Sequence, residues 1–248
     1  MCHSTDSRPP ALANPGEVAQ DGALELTSAD GTVFSAFHAI PAEPNGVNIV
    51  ILPDIRGTHP YYQALANRFA QAGFTTAAID YYGRTAGVGV RDDEFDWKQY
   101  LPSVQSDEVA ADVKAAAEHL TKFNTGPVFT VGFCFGGGQS WRLSASDLGV
   151  NGVIGFYGLP KLVHDVVDDI SAPLLLLLAG ADVATTPEEF ETFAKSLDAA
   201  GKTYDMHVYE GAPHSFFDAT YDEWQEACDD AWSRMLTFIE KHSAKVPA

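Results

Sequence analysis

The sequence predicts an α/β fold in which a mostly parallel sheet is covered by helices on both faces. Short, nearly uninterrupted apolar runs alternate with segments whose apolar residues recur at helical spacing. Apolar residues make up 46% of the 248 positions, which is enough for a large buried core. Neither an internal repeat nor a linker divides the chain, so residues 23–248 are interpreted as one domain. Residues 1–22 are rich in Pro, Ser and Asn without any period and are predicted to be a flexible tail.

The first half of the domain is predicted to begin with a hairpin. It covers residues 23–41 and turns at Ala29-Asp30-Gly31, because an Asp-Gly pair favours the backbone of a tight turn. The polar segment 81–102 is too long for a plain connection and is interpreted as a lid or binding loop. The remaining apolar patterns predict strands at 47–53 and 75–80 and helices at 62–72 and 104–122.

The second half is predicted to open with a strand at 127–132 that runs directly into a glycine-rich turn and a short helix. Pro187 favours the first turn of a helix over 187–200, in which Phe190 and Phe193 fall on one face. Further patterns predict strands at 153–157, 174–179 and 204–209 and a closing helix at 222–242.

The charge of the chain is strongly negative: 15 Lys and Arg stand against 34 Asp and Glu, a net charge of −19. Such a chain repels phosphate backbones and anionic lipid surfaces, so neither a nucleic acid nor a membrane is an expected partner. No apolar run reaches the roughly 18 residues of a membrane span. The N-terminus has no basic start followed by an apolar stretch, so the expected location is the cytoplasm.

Cysteine and histidine usage indicates neither a disulfide framework nor a metal site. The three cysteines, Cys2, Cys134 and Cys228, are an odd and sparse set without a Cys-x-x-Cys pair. The eight histidines include no pair spaced i, i+4, so no zinc motif exists. We therefore expect no metal and no cofactor.

The sharpest chemical motif is Gly132-Phe133-Cys134-Phe135-Gly136, at the end of a predicted strand. It is the thiol form of the nucleophile elbow G-x-S-x-G, a strand–turn–helix unit that lifts one side chain above the sheet. Glycines remove Cβ atoms that would clash in so tight a turn, and the helix N-terminus stabilises a thiolate. Cys134 is the predicted nucleophile; the alternative is a small buried cysteine in a glycine-rich turn.

Asp182 and His214 are the predicted partners of Cys134. They follow it in the order nucleophile, acid, histidine that is typical of α/β-hydrolases. Asp182 comes just after one apolar strand, and His214 lies in a Gly-Pro loop after the last strand. Both are therefore expected at the C-terminal edge of the sheet, where this class of fold keeps its sites. The alternatives are a turn- or helix-capping role for Asp182 and a surface position for His214.

Backbone N–H groups of Phe135 and Ile55 are the predicted oxyanion hole. Phe135 follows the nucleophile, and Ile55 lies in the loop after a predicted strand. Arg84 and Arg56 also follow predicted strands and, in so acidic a chain, are candidates for binding a substrate carboxylate. The alternatives are a solvated loop position for Arg84 and a local ion pair between Arg56 and Asp54.

The sequence resembles the dienelactone hydrolase (carboxymethylenebutenolidase) family over about residues 23–242. The resemblance implies an α/β-hydrolase fold with an eight-stranded, mostly parallel sheet, a monomer or weak homodimer, and no cofactor. It also implies that a Cys-His-Asp triad opens an unsaturated lactone through a covalent acyl-thioester. The motifs that carry it are Gly-Phe-Cys-Phe-Gly-Gly at 132–137, Gly180-Ala181-Asp182 and Gly211-Ala212-Pro213-His214-Ser215-Phe216, with support from segments 79–84 and 155–158.

Two positions depart from the pattern of this family. Asp54 stands where the family has a Glu that accepts the thiol proton, and its side chain is one methylene shorter. Phe217 stands where the second of two substrate-binding arginines is expected, whereas Arg84 matches the first. Losing one such partner costs roughly 1.5–3 kcal/mol of anion binding, so the substrate is expected to be less anionic than the dienelactone. Ser215, next to His214, and Phe217 are further predicted substrate contacts.

The predicted function is a hydrolase that cleaves a lactone or small ester, its small-molecule partner, through Cys134. One alternative is a broad-specificity short-chain carboxylesterase or thioesterase of the same family. The other is a thiol redox sensor that keeps the fold without hydrolysis, since an exposed thiolate is readily oxidised.

Overall fold

Eight strands form one sheet in the computed structural model, which describes residues 8–218 and 221–243. The strands are β1 (Val18–Thr27), β2 (Val33–Pro41), β3 (Asn48–Leu52), β4 (Thr75–Ile79), β5 (Val128–Phe133), β6 (Gly152–Phe156), β7 (Leu174–Ala181) and β8 (Tyr204–Pro213). Their order is β1-β2-β4-β3-β5-β6-β7-β8. β2 is antiparallel to β1 and to β4, and all other neighbours are parallel. The predicted α/β-hydrolase architecture is confirmed.

Seven α-helices lie between or after these strands within the described residues. They are α1 (Pro60–Gln71), α2 (Gly83–Ala86), α3 (Trp97–Tyr100), α4 (Ser106–Leu120), α5 (Phe135–Leu143), α6 (Pro187–Ala199) and α7 (Gln225–Ser243). The predicted lid segment 81–102 contains α2 and α3. In the described part of the chain, no helix combines the length and the apolar character that a membrane crossing requires.

Helices cover both faces of the sheet because the side chains of each inner strand alternate between two apolar clusters. In β3, Ile51 joins the first cluster, which also contains Phe69 of α1 and Phe238 of α7. The next residue, Leu52, joins the second cluster, where α4, α5 and α6 pack around residues such as Trp141. With both faces covered, the inner strands are apolar throughout, and this is the pattern that predicted a parallel sheet.

Several element boundaries lie a few residues from their predicted positions, including the starts of β1 and α7. β1 begins at Val18, inside the predicted tail, and pairs there with Pro41 of β2. This edge strand is mostly exposed, so backbone pairing rather than apolar periodicity defines its start. The closing helix begins at Gln225, after a 3₁₀ turn at Tyr221–Glu223. The first seven residues of the predicted tail, including Cys2, and residues 244–248 lie outside the described residues.

The carboxyl ends of the parallel strands meet at one edge of the sheet. Leu52 at the end of β3 pairs with Gly132 of β5, and Phe133 pairs with Phe156 of β6. Phe156 in turn pairs with Leu177 of β7. Loops that follow these strands therefore open side by side, at the place where open α/β sheets bind their ligands.

Candidate active site

Cys134 occupies a strained turn between β5 and α5. Its backbone has φ 54° and ψ −115°, a region that residues other than glycine rarely adopt. Its N–H donates a hydrogen bond to the carbonyl of Phe156 at 3.0 Å, which ties the turn to the end of β6. The side chain is 7% exposed and sits at the N-terminus of α5. The strand–turn–helix geometry predicted for the elbow is therefore present.

The glycines beside Cys134 allow a close approach of backbones. A Cβ atom on Gly132 would collide with the carbonyl group of Gly136 in the first turn of α5. A Cβ atom on Gly136 would collide with the carbonyl oxygens of Leu52 and Pro53 at the end of β3. Glycine at both positions lets α5 begin directly after β5 and close to the end of β3. Cys134 therefore lies at the edge of the sheet where the parallel strands end.

Asp182 and His214 are hydrogen-bonded to each other at the same edge. The Nδ1 atom of His214 lies 2.8 and 2.9 Å from the two carboxylate oxygens of Asp182. Asp182 follows the end of β7, and its carboxylate also accepts the N–H groups of Ala184 at 2.7 Å and Thr185 at 3.3 Å. These bonds fix the carboxylate and hold the ring with Nδ1 toward the acid, leaving Nε2 for another partner.

His214 also interacts with Cys134, and this sets its protonation. Burial lowers the pKa of His214, but hydrogen bonds with Asp182 and with Cys134, together with the charges of both groups, outweigh it and raise the pKa to about 10. The aromatic ring of Tyr157 packs against the imidazole with 5.0 Å between ring centroids. The imidazole thus bridges the acid and the thiol, as the order of the three residues predicted.

Asp54 and Arg56 form a charged pair in the loop after β3. The Asp54 side chain is fully buried, and it accepts the N–H of Arg56 at 2.8 Å. Nε of Arg56 lies 3.5 Å from Asp54, and its Nη1 lies 3.4 Å from Asp93 in the lid segment. Asp93 is also 3.1 Å from Nε2 of His59. The guanidinium group of Arg56 is therefore engaged by two carboxylates.

The backbone around the predicted oxyanion hole is anchored by tyrosines. Phe135 is the first residue of α5, so its N–H has no partner inside the helix. The loop that carries Ile55 is held by two hydroxyl groups, since Tyr82 donates to the Ile55 carbonyl and Tyr81 donates to the Pro53 carbonyl at 2.7 Å. Of the two predicted donors, Phe135 directly follows Cys134, and Ile55 lies in the loop after β3.

Arg84 is bound elsewhere, so the structure does not support its predicted role in holding a substrate carboxylate. Its Nη1 donates to both carboxylate oxygens of Asp112 at 3.0 and 2.8 Å. Its Nε donates to Asp30 at 2.9 Å, and Glu108 lies at 3.7 Å. Asp112 and Glu108 belong to α4, so Arg84 fastens the lid segment to that helix.

Ser215 and Phe217 follow His214 in the same turn and differ in their surroundings. Phe217 is 1% exposed, and its ring packs against Phe133 and Phe156 with centroids 5.8 and 4.6 Å apart. It is therefore a core residue, which corrects the prediction of a substrate contact. Ser215 has φ 64°, and its buried Oγ has no hydrogen-bond partner in the described part of the chain.

The sequence analysis missed two residues, Asp218 and Tyr157. Asp218 is 1% exposed, and its carboxyl group interacts with the charges of Cys134 and His214. Tyr157 follows β6, contacts His214, and has φ 36°. Tyr157 stands in a segment that supported the family resemblance, and Asp218 is only four residues after His214. The sequence offered one indication of their role, which is that both residues lie at or after the end of a predicted strand.

Backbone strain is concentrated at this site. Among the described residues other than glycine, only Cys134, Tyr157 and Ser215 have positive φ. All three lie at or next to the Cys134–His214 contact. Such strain persists where the surrounding structure holds a functional side chain in place. Within the part of the chain that the structure describes, no group of three His, Cys, Asp or Glu side chains is arranged to hold a metal ion.

Comparison with known proteins places the chain in a family. Residues 34–243 match the model of the dienelactone hydrolase family. A protein named "Putative carboxymethylenebutenolidase" from Methylorubrum extorquens is 28% identical over 236 residues, covering 89% of this chain and 81% of its own. A protein of the same name from Escherichia coli is 27% identical over 234 residues, covering 87% and 85%. The crystal structure of a "Putative Dienelactone Hydrolase" from Klebsiella pneumoniae has a TM-score of 0.75 at 28% identity, covering 89% of this chain and 99% of that one.

Proposed function

Because the chain belongs to the dienelactone hydrolase family and is a carboxylic-ester hydrolase of that class, we propose that it cleaves a lactone or small ester through Cys134, His214 and Asp182. The observation that carries the proposal is the imidazole of His214, which bonds Asp182 through Nδ1 and also interacts with the Cys134 thiol. A nucleophile, a base and a group that orients the base are the parts that covalent acyl transfer requires.

In the first step the Sγ atom of Cys134 bonds to the carbonyl carbon as a thiolate, its proton being held on Nε2 of His214. The raised pKa of His214 supports this ion pair, since Asp182 stabilises the imidazolium. The electron pair of the carbonyl π bond moves to its oxygen. The N–H groups of Phe135 and Ile55 would stabilise that oxyanion.

Collapse of the tetrahedral species breaks the bond to the ester oxygen. His214 returns its proton to that oxygen, which leaves as an alcohol or, for a lactone, stays attached to the opened chain. The product of this first half of the reaction is an acyl-thioester on Cys134. Water then attacks the thioester with His214 as base, releasing the carboxylic acid and restoring the thiol.

The test compares the wild type with Cys134→Ala and Cys134→Ser on p-nitrophenyl acetate and on a dienelactone. We expect Cys134→Ala to lose at least about a thousandfold in kcat, because no covalent route remains. Rapid quench and mass spectrometry should detect an acetylated Cys134 in the wild type. Full activity of Cys134→Ala would overturn the proposal.

The same experiment separates the proposal from a redox-sensing role. A sensor would react rapidly with peroxide at Cys134 and would form no acyl-enzyme with either substrate. His214→Gln supplies a further control, because it should abolish acylation while leaving Cys134 in place. Unchanged acylation of that variant would exclude His214 as the base.

A further inference from the structure

Asp218 is a buried acid that the proposed mechanism does not use. It closes the turn after His214, in which its N–H donates to the carbonyl of Ser215 at 3.3 Å. Its side chain is 1% exposed and interacts electrostatically with Cys134, His214 and Asp54. The carboxyl group is therefore one of the buried charges that act on Cys134 and His214, and it lies in the turn that follows β8.

The hydrogen-bonding neighbours of the Asp218 carboxyl group are the hydroxyl groups of two tyrosines, Tyr62 and Tyr157. Oδ2 accepts a hydrogen bond from the hydroxyl of Tyr62 at 3.3 Å. Oδ1 is buried and has no direct hydrogen-bond partner in the residues that the structure describes. No Lys or Arg of those residues forms an ion pair with it. A buried carboxyl oxygen in this situation offers a hydrogen-bonding position to a bound molecule.

The arginines that could balance a substrate carboxylate are already engaged. Arg84 binds Asp112 and Asp30, and Arg56 binds Asp54 and Asp93. A carboxylate brought next to Cys134 would therefore meet buried acids and no unengaged arginine among these candidates. Like charges placed together in a site shielded from water repel strongly.

We propose that Asp218 makes this site selective for uncharged substrates, that is, for lactones or small esters that carry no carboxylate. The inference rests on the proposed function, since it concerns what Cys134 attacks. As a neutral acid, Asp218 donates a hydrogen bond to an uncharged oxygen of the substrate. As a carboxylate, it repels an anionic substrate.

Titration of Asp218 gives this selectivity a pH dependence. Burial raises the pKa of Asp218 well above its usual range, the charge of Asp54 adds to this, and Tyr157 and His214 oppose it. Preference for neutral substrates should therefore grow as the pH rises and Asp218 ionises. The titratable groups that interact with it from the surrounding elements are Asp54, Tyr61, Tyr62, Cys134, Tyr157, His214 and Cys228.

The experiment uses two pairs of esters that differ only in a carboxylate. One pair is p-nitrophenyl adipate with a free carboxylate and its methyl ester, which places the charge on the acyl side. The other is para-acetoxybenzoate and its methyl ester, which places the charge on the leaving group. The readout is the ratio of kcat/KM for the neutral ester to that for the anionic ester. Titration of Cys134 and His214 largely cancels in this ratio, because both substrates use them.

For the wild type, in at least one pair, we expect kcat/KM to be about tenfold or more higher for the neutral ester than for the anionic one. This ratio should rise with pH. In Asp218→Asn the ratio should be smaller and independent of pH. Asp112→Asn is the matched control: it also removes a buried carboxyl group, but that group pairs with Arg84, so the wild-type pH dependence should persist. Asp218→Ser replaces Asp218→Asn if thermal unfolding shows that the latter does not fold.

The outcomes distinguish this inference from the proposed function. No preference at any pH, or the same rise in Asp218→Asn as in the wild type, would overturn the role of Asp218 while leaving the hydrolase intact. Absence of Cys134-dependent turnover on every ester would instead overturn the proposed function itself.

Discussion

Two buried aspartates of this protein differ in the kind of partner they bind. Asp112 is held by the guanidinium of Arg84, which contacts both carboxylate oxygens, and by the hydroxyl of Ser28. Asp182 is held by the imidazole of His214, which has a second ring nitrogen available on its other side. Both acids are shielded from water, but only the second pair can pass a proton onward.

The difference shows what distinguishes a structural ion pair from the proposed catalytic one. An arginine stays charged at every accessible pH, so its pair with Asp112 holds the lid segment against α4 and does nothing else. A histidine changes charge, and its second nitrogen connects the acid to Cys134.

The largest effect should come from Asp182→Asn. The amide keeps the shape of the side chain but favours the wrong tautomer of His214 and no longer stabilises its imidazolium form. We expect kcat on p-nitrophenyl acetate to fall about ten-thousandfold. A loss of less than tenfold would mean that Asp182 is only a structural partner, like Asp112.

A smaller effect, on stability rather than activity, should follow Arg84→Met. The substitution leaves Asp112 buried without a cation, and the free energy of unfolding in urea should fall by about 2–3 kcal/mol. Activity on p-nitrophenyl acetate, measured on the folded fraction, should stay within about twofold of the wild type. Arg234→Met is the matched control, since its pair with Asp230 is exposed and should cost below about 1 kcal/mol. Unchanged stability with a specific loss on anionic esters would restore Arg84 as a substrate-binding residue.

The smallest effect should appear in the pH dependence of stability. The pKa of His214 rises from 6.5 to about 10 on folding, so its protonated form favours the folded state. This contribution is fully present below pH 6.5 and is lost as the pH rises to about 10. The stability difference between the wild type and His214→Gln, measured by urea unfolding at a series of pH values, should therefore shrink across that range. A difference that stays constant would show that His214 is not protonated in the folded resting enzyme.

The placement of the proposed nucleophile, acid and base at one edge of the sheet was predictable because each follows an apolar run. Cys134, Asp182 and His214 come directly after β5, β7 and β8. Parallel strands bring their carboxyl ends to one edge, so residues at these positions meet whatever the intervening segments do. The glycines at 132 and 136 added a local requirement for close backbone contact, which is visible in the sequence.

The charge of the substrate pocket was decided only by the tertiary structure. The partner of Arg84 lies 28 positions away on α4, and no local pattern specifies which acid will meet it. In the turn that contains Ser215, the adjacent residues Phe217 and Asp218 have different surroundings: the ring of Phe217 packs against Phe156, and the carboxyl group of Asp218 interacts with the charges of Cys134 and His214. The sequence by itself thus determined the fold and the chain order of the proposed nucleophile, acid and base, because strand ends and glycine turns are local properties. Which charged groups face the substrate depends on contacts between distant elements, so only the folded chain decided it.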